Sequence, residues 1–280
     1  MANRLAVYQA LWAMDGLVTP EASMAEKFDR VRAAGFDGMA IDLGALSLVQ
    51  AETSVAHFAR TGLAGGLTAF PSSIEALRPA LQLAQRIAAP FVVVIGQMMP
   101  IELQDMVPVI EGWLRVAEQE RMPIQFETHR NCITNDLFTT VQLLEAVPEM
   151  CLSADLSHYV VDREMPCPPP PDLQALVTRV LERSDSFQGR IAARGQIQVP
   201  LEFPQNEKWV ALFRRWWEQG FASWQARHCA EDAALIFICE LGPPDYAITD
   251  RNGRELSDRW AESIQLAQWA RQIWSEAGAH

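Results

Sequence analysis

Lysine is almost missing from this chain of 280 residues: only Lys27 and Lys208 occur, both in helix-like segments. A Schiff-base aldolase needs a lysine at a strand end, so that chemistry is excluded. No run of Lys or Arg is present, and the formal net charge is −12. Such a field opposes approach to a phosphate backbone, and nucleic acid is not an expected partner. No apolar stretch reaches the ~18 residues of a membrane span, and the first residues lack a signal-peptide layout. The expected location is cytoplasmic, with no membrane partner. The five cysteines, Cys132, Cys151, Cys167, Cys229 and Cys239, include no CxxC pair. That argues against a zinc ribbon or a disulfide framework. Nucleotide-loop, nucleophile-elbow and HExxH motifs are likewise missing.

What the chain does have is apolar residues, 49% of the total, arranged in a repeating rhythm. Short apolar runs fall at 5–14, 36–43, 63–70, 91–96, 123–130, 150–159, 189–199 and 233–242. Amphipathic patterns separate them at about 20–34, 48–60, 73–88, 101–121, 134–146, 171–186, 207–228 and 255–275. Strands alternating with helices imply parallel pairing through right-handed crossovers. Eight of each predict a single α/β domain over residues 1–280, a closed (β/α)8 TIM barrel. An open doubly wound sheet is the rival, but "YQALWAMDGLVTP" after the first run lacks its glycine-rich turn. The proline-rich stretch at 165–172, "MPCPPPPD", reads as a stiff spacer beside the barrel mouth, with a lid as the alternative. Trp209, Trp216, Trp217 and Trp224 are expected to pack against the barrel, or to form the face of a homodimer.

Polar groups close several of the apolar runs. They are Asp42, Glu127 with His129, Asp155 with His158, Arg194 with Gln196, and Glu240. In a barrel these strand ends converge on one mouth. Side chains two apart on a strand share a face, so Glu127 and His129 point the same way. A single acid could simply pair with Arg130, Arg163 or Arg194. Three carboxylates buried together, Glu127, Asp155 and Glu240, need a cation or a proton to compensate them. A divalent ion bound by oxygen and nitrogen ligands is the expectation. Trp12, on the first run, could stack on a sugar.

The segments "FETHR" (126–130), "DLSHY" (155–159) and "CELGPPDYAITD" (239–250) resemble the xylose isomerase-like barrel family. That family includes sugar-phosphate isomerases and epimerases and the endonuclease IV barrels. The resemblance implies a metal held by a Glu of strand five, an Asp of strand six, a His of strand seven and a Glu of strand eight. Glu127, Asp155 and Glu240 match three of these. The histidine position falls on Ala192, two residues before Arg194, which leaves Gln196 as the remaining candidate ligand. Oxygen donors favour Mn²⁺ or Mg²⁺ over Zn²⁺.

The implied reaction is isomerisation or epimerisation of a sugar-like hydroxy-carbonyl compound through an enediolate. Glu127 and Glu240 would pass the proton, and His129, His158, Arg194 and Trp12 would hold the substrate. The alternative is a metal-free barrel that has lost catalysis and binds a small polyol or acid.

Overall fold

The computed structural model describes residues 3–17, 23–229 and 232–277. Eight parallel strands close into a barrel in sequence order, each hydrogen-bonded to the next and the last to the first. They are β1 (Arg4–Ala10), β2 (Gly38–Asp42), β3 (Ala64–Ala69), β4 (Val92–Val94), β5 (Ile124–Glu127), β6 (Leu152–Ala154), β7 (Ser184–Gly189) and β8 (Ala234–Cys239). The helices are α1 (Met24–Ala33), α2 (Leu48–Glu52), α3 (Ser54–Thr61), α4 (Arg78–Arg86), α5 (Leu103–Glu120), α6 (Leu137–Ala146), α7 (Leu156–Asp162), α8 (Pro171–Leu181), α9 (Glu207–Arg227) and α10 (Arg259–Ala277). No described helix is long and apolar enough to cross a membrane. The start of the helix expected at 20–34 lies outside the described residues; α1 itself opens with a Ser23–Glu26 capping box.

Strand parity separates two cores. On β8, Leu235, Phe237 and Cys239 face the helices, while Ile236 and Ile238 face the axis beside Ala6, Tyr8, Ala10 and Ala40. The outer core is aromatic. Trp217 and Phe221 of α9 meet Phe237 edge-on at 5.1 and 6.0 Å, and Phe221 meets Phe187 at 5.3 Å. Gly220 permits that approach, because a Cβ there would lie 2.5 Å from the Phe187 ring. Trp209, Trp216, Trp217 and Trp224 are all buried. They pack against the barrel, so the exposed tryptophan face imagined for a homodimer is not there.

Two boundaries differ from those expected. The seventh strand runs over 184–189, not 189–199, and the preceding helix stops at Leu181. Residues expected in the upper half of that strand form a turn, closed by reciprocal bonds between Ala193 and Gln196. The sixth apolar run is a strand only to Ala154. Asp155 then caps α7, its Oδ1 accepting from the Ser157 amide at 2.9 Å. His158 therefore sits in the first turn of a helix and not in a loop. The proline-rich stretch connects α7 to α8.

One buried side chain fixes the turn that carries Trp12. Arg259, 1% exposed, donates to the carbonyls of Ala13 (2.6 Å), Asp15 (2.8 Å) and Leu241 (3.2 Å) and pairs with Glu255. It ties the turn after β1 to the end of β8. Arg259→Met leaves those carbonyls without a donor and is expected to cost about 3 kcal/mol, read by urea unfolding.

Candidate functional site

Four consecutive strands each bring one charged residue to the same end of the barrel. On β5, Gln125 and Glu127 face inward; past β6 comes Asp155; past β7 comes Arg190; past β8 comes Glu240. Parity explains the placement. Ser186, Gln188 and Arg190 are two apart and share a face; Ser186 hydrogen-bonds to Gln125 and Gln188 to Glu127, and Arg190 forms ion pairs with the other two acids. Glu127, Arg190 and Glu240 border a cavity of about 290 Å³ that is also lined by Trp12, Asp42, His129 and Tyr246, among others.

Arg190 is the centre of the cluster. Its Nη2 lies 2.9 Å from Glu240 Oε2 and its Nε 3.3 Å from Asp155 Oδ2, and only 2% of the side chain is exposed. The guanidinium also sits 4.8 Å from the Tyr246 ring centroid and 5.9 Å from that of Trp12. These contacts are ion pairs by distance. Nε and Nη1 of Arg190, with Asp155 Oδ2 and Glu240 Oε2, make no hydrogen bond among the described residues.

The remaining atoms are held one by one. Trp12 Nε1 donates to Glu240 Oε1 at 2.9 Å, and Gln188 Nε2 donates to Glu127 Oε2 at 3.2 Å and to Ser153 at 3.3 Å. The His129 and His158 rings lie 4.0 Å apart, with His158 Nε2 at 3.4 Å from Asp155 Oδ2. His158 is fully buried behind His129 and does not border the cavity.

Burial sets most of the protonation. It raises Glu127 well above the usual carboxylate range, helped by the charges of Glu240 and Asp155. It raises Glu240 to about 7, against the pull of Arg190. Burial acts on Asp155 in the same direction but is outweighed there by Arg190 and His158, which hold that carboxyl below its ordinary value. Burial, then His158, lowers His129 to about 3, and burial lowers His158. Both imidazoles are neutral near pH 7. Burial disfavours the charge on Arg190, but Asp155 and Glu240 more than restore it.

The expected residues thus divide. Glu127, Asp155, Glu240, His129 and Trp12 come together, with Trp12 in the short turn just beyond β1 rather than on it. Arg194 and Gln196 do not reach the site. Arg194 lies on the surface, 63% exposed and paired with Glu164, and Gln196 is exposed in the same turn. Ala192 is buried in the segment beyond the end of β7. Arg190, Gln188 and Tyr246 were not foreseen. The signal for Arg190 was its two-residue spacing from Ser186 and Gln188, in a strand too polar to read as one.

The acids themselves have metal-like spacing. Ligand atoms of Glu127, Asp155 and Glu240 lie within 4.8 Å of one another, as do those of Glu127, His129 and His158. Trp12→Phe removes one donor from Glu240 and keeps the ring. On any substrate the site turns over, a roughly tenfold fall in kcat/KM is expected, the weight of one bond of about 1.4 kcal/mol.

Comparison with known proteins gives a fold. No protein-family model matches the chain, and no curated protein matches it by sequence. Among solved structures, a xylose isomerase-like TIM barrel protein from Mycobacterium smegmatis in complex with magnesium is similar at a TM-score of 0.60 and 16% identity, over 97% of this chain and 98% of that one. A D-allulose 3-epimerase from Methylomonas sp., in complex with D-allulose, is similar at 0.57 and 14%, over 98% and 97%. A sugar phosphate isomerase/epimerase from Parabacteroides distasonis is similar at 0.60 and 9%, over 96% of each chain. At these identities the likeness is one of architecture: the chain has the fold of the xylose isomerase-like TIM barrels over nearly its whole length.

Proposed function

We propose that the protein is an isomerase or epimerase of a sugar-like hydroxy-carbonyl compound, working by proton transfer next to a carbonyl. The observation that carries this reading is the convergence of Glu127 and Glu240, from β5 and β8, on one cavity with a guanidinium beside them. The carboxylate of Glu240 takes the carbon-bound proton, leaving an enediolate. The neutral carboxyl of Glu127 returns a proton to carbon, and a later exchange of one proton between the two acids resets the site. Separating the roles requires two carboxyls of unlike proton affinity, which burial and Arg190 supply here. Trp12 fixes the orientation of Glu240, and Gln188 that of Glu127. The neutral His129 offers its ring to a substrate hydroxyl. The Trp12 and Tyr246 rings, 5.3 Å apart, wall the cavity with apolar surface, suited to the face of a sugar.

Relatives in fold imply a divalent metal, and the oxygen donors alone would suit Mn²⁺ or Mg²⁺ better than Zn²⁺. Arg190 opposes the fit. Two of the three candidate ligands, Asp155 and Glu240, already have a cation within 3.3 and 2.9 Å. A metal about 2.0–2.6 Å from the same carboxylates would face that guanidinium at short range and like charge. The residues present do not fit a resident divalent ion.

Arg190 also favours a second reading, a barrel that binds a small polyol or acid without turning it over. The two readings separate in D₂O. Ketopentoses, ketohexoses and their phosphates would be incubated with the protein and followed by NMR. The enzyme reading expects solvent deuterium on the carbon next to the carbonyl, together with the epimer or isomer. Binding seen as line broadening, without exchange in any compound, would reject it in favour of the second.

A further inference from the structure

We propose that Arg190 is a fixed internal cation, standing where a barrel with this set of acids would otherwise need a metal ion, and that it keeps divalent metals out. Four neighbouring strands contribute one charged side chain each, and three of the four are acids whose oxygens lie within 4.8 Å. The fourth, at the end of β7, is the cation itself. It is covalently part of the chain, fully buried, and in contact with two of the three acids. Among the described residues no other Lys or Arg lines the cavity. Arg130, Arg163 and Arg194, the cations the sequence offered for this purpose, have other partners: Arg194 pairs with Glu164 on the surface, Arg163 with Asp136, and Arg130 lies over the Tyr246 ring at 5.7 Å.

The geometry also leaves Arg190 with something to give. Nε and Nη1 have no hydrogen-bond partner among the described residues although both are buried. Unmet donors on a buried cation are costly, and its fixed charge favours an oxygen that becomes negative nearby. A guanidinium presents several N–H groups in a plane and stays protonated at every working pH. In the reaction proposed above, the guanidinium, which borders the cavity, would stabilise the charge developing on the enediolate oxygen. That catalytic part rests on the proton-transfer reading; the exclusion of metal does not.

Manganese titration tests the exclusion without any substrate. Chelator-treated wild-type protein is titrated with Mn²⁺ and the loss of the free-ion electron paramagnetic resonance signal is followed. Arg190→Ala and the better-filling Arg190→Gln are measured in parallel, with circular dichroism to verify folding. Wild type is expected to take up no stoichiometric Mn²⁺ at up to millimolar ion. The folded neutral variants are expected to bind one ion at least about 100-fold more tightly, because a fixed like charge at close range has been removed. Arg190→Lys, which keeps the charge, should exclude the ion as wild type does. Stoichiometric uptake by wild type would overturn the proposal whatever the variants do. So would folded Arg190→Ala and Arg190→Gln proteins that bind no better than wild type. If both neutral variants unfold, restored folding on adding Mn²⁺ supports the proposal, and no restoration counts against it. Failure of the epimerase reading leaves these titrations untouched. Uptake by wild type with metal-dependent exchange would overturn this proposal while keeping that reading.

Discussion

Glu240→Gln is expected to lower turnover by about 10²–10⁴-fold with little loss of stability, because it removes the base and keeps the shape. Glutamine can still accept from Trp12 Nε1 through its carbonyl oxygen, as Oε1 of Glu240 does. It cannot take a proton from carbon. The stability side follows from sign. The folded-state value for Glu240 is raised to about 7, above its unfolded value, so the ionised form is disfavoured by folding and the penalty grows as pH rises through the unfolded value and levels off above about 7. Removing the charge should therefore be neutral or mildly stabilising above pH 7 and without effect at acid pH. Turnover measured by epimer formation, alongside urea unfolding at pH 5 and pH 8, checks both parts. An active Glu240→Gln protein would place the base elsewhere.

Arg190→Ala is expected to have the largest effect on stability, costing about 3–5 kcal/mol. Removing one partner from a buried ion cluster leaves Asp155, Glu240 and Glu127 facing one another with no cation. Near pH 7 Glu127 is neutral and Glu240, at about 7, is only partly so, while Asp155 stays ionised. The loss should shrink as pH falls, because protons then substitute for the guanidinium on the carboxylates whose folded-state affinity for them has risen. It should also shrink on adding Mn²⁺, which can take the vacated position. Thermal unfolding at pH 5 and pH 8, with and without Mn²⁺, reads both trends. A variant as stable as wild type at pH 8 without metal would show that Arg190 does not neutralise the cluster.

Much of this architecture can be read from the chain. The alternation of apolar runs and amphipathic segments gives eight strands and a closed barrel, and six of the eight runs place their strand within a few residues. Glu127, Asp155 and Glu240 stand out because each is a charge set among apolar residues near the end of a strand, where the barrel mouth is the place for it. Trp12 is legible as an indole near the end of the first apolar run. Strand seven is not. Its axis-facing residues are Ser186, Gln188 and then Arg190, and only Phe187 on the outer face is large and apolar, with Gly189 leaving room for the Phe237 ring 2.6 Å from where its Cβ would be. In the barrel interior, polar residues from β5, β6 and β7 bond to one another, so the hydrophobic pattern that marks a strand is lost.

The next stretch, "RIAARGQIQV", is apolar for another reason: Ile191, Ala192, Ile197 and Val199 are buried in the loop that covers the strand end. That five-residue displacement moves the expected site arginine from Arg190 to Arg194 and the expected ligand position to Ala192. It converts a cation at the centre of the site into an apparent missing ligand. The sixth run misleads in a milder way, since Leu156, Tyr159 and Val160 are apolar at helical spacing and continue a strand pattern into α7.

The most direct test of the account is solvent deuterium exchange into a ketose in D₂O containing excess EDTA, with Glu240→Gln as control. Deuterium at the carbon next to the carbonyl and formation of the epimer or isomer, at a rate that EDTA leaves unchanged, are expected of wild type and neither is expected of the variant. Exchange that stops with EDTA and returns with Mn²⁺, or no exchange in any ketose or ketose phosphate, would contradict it.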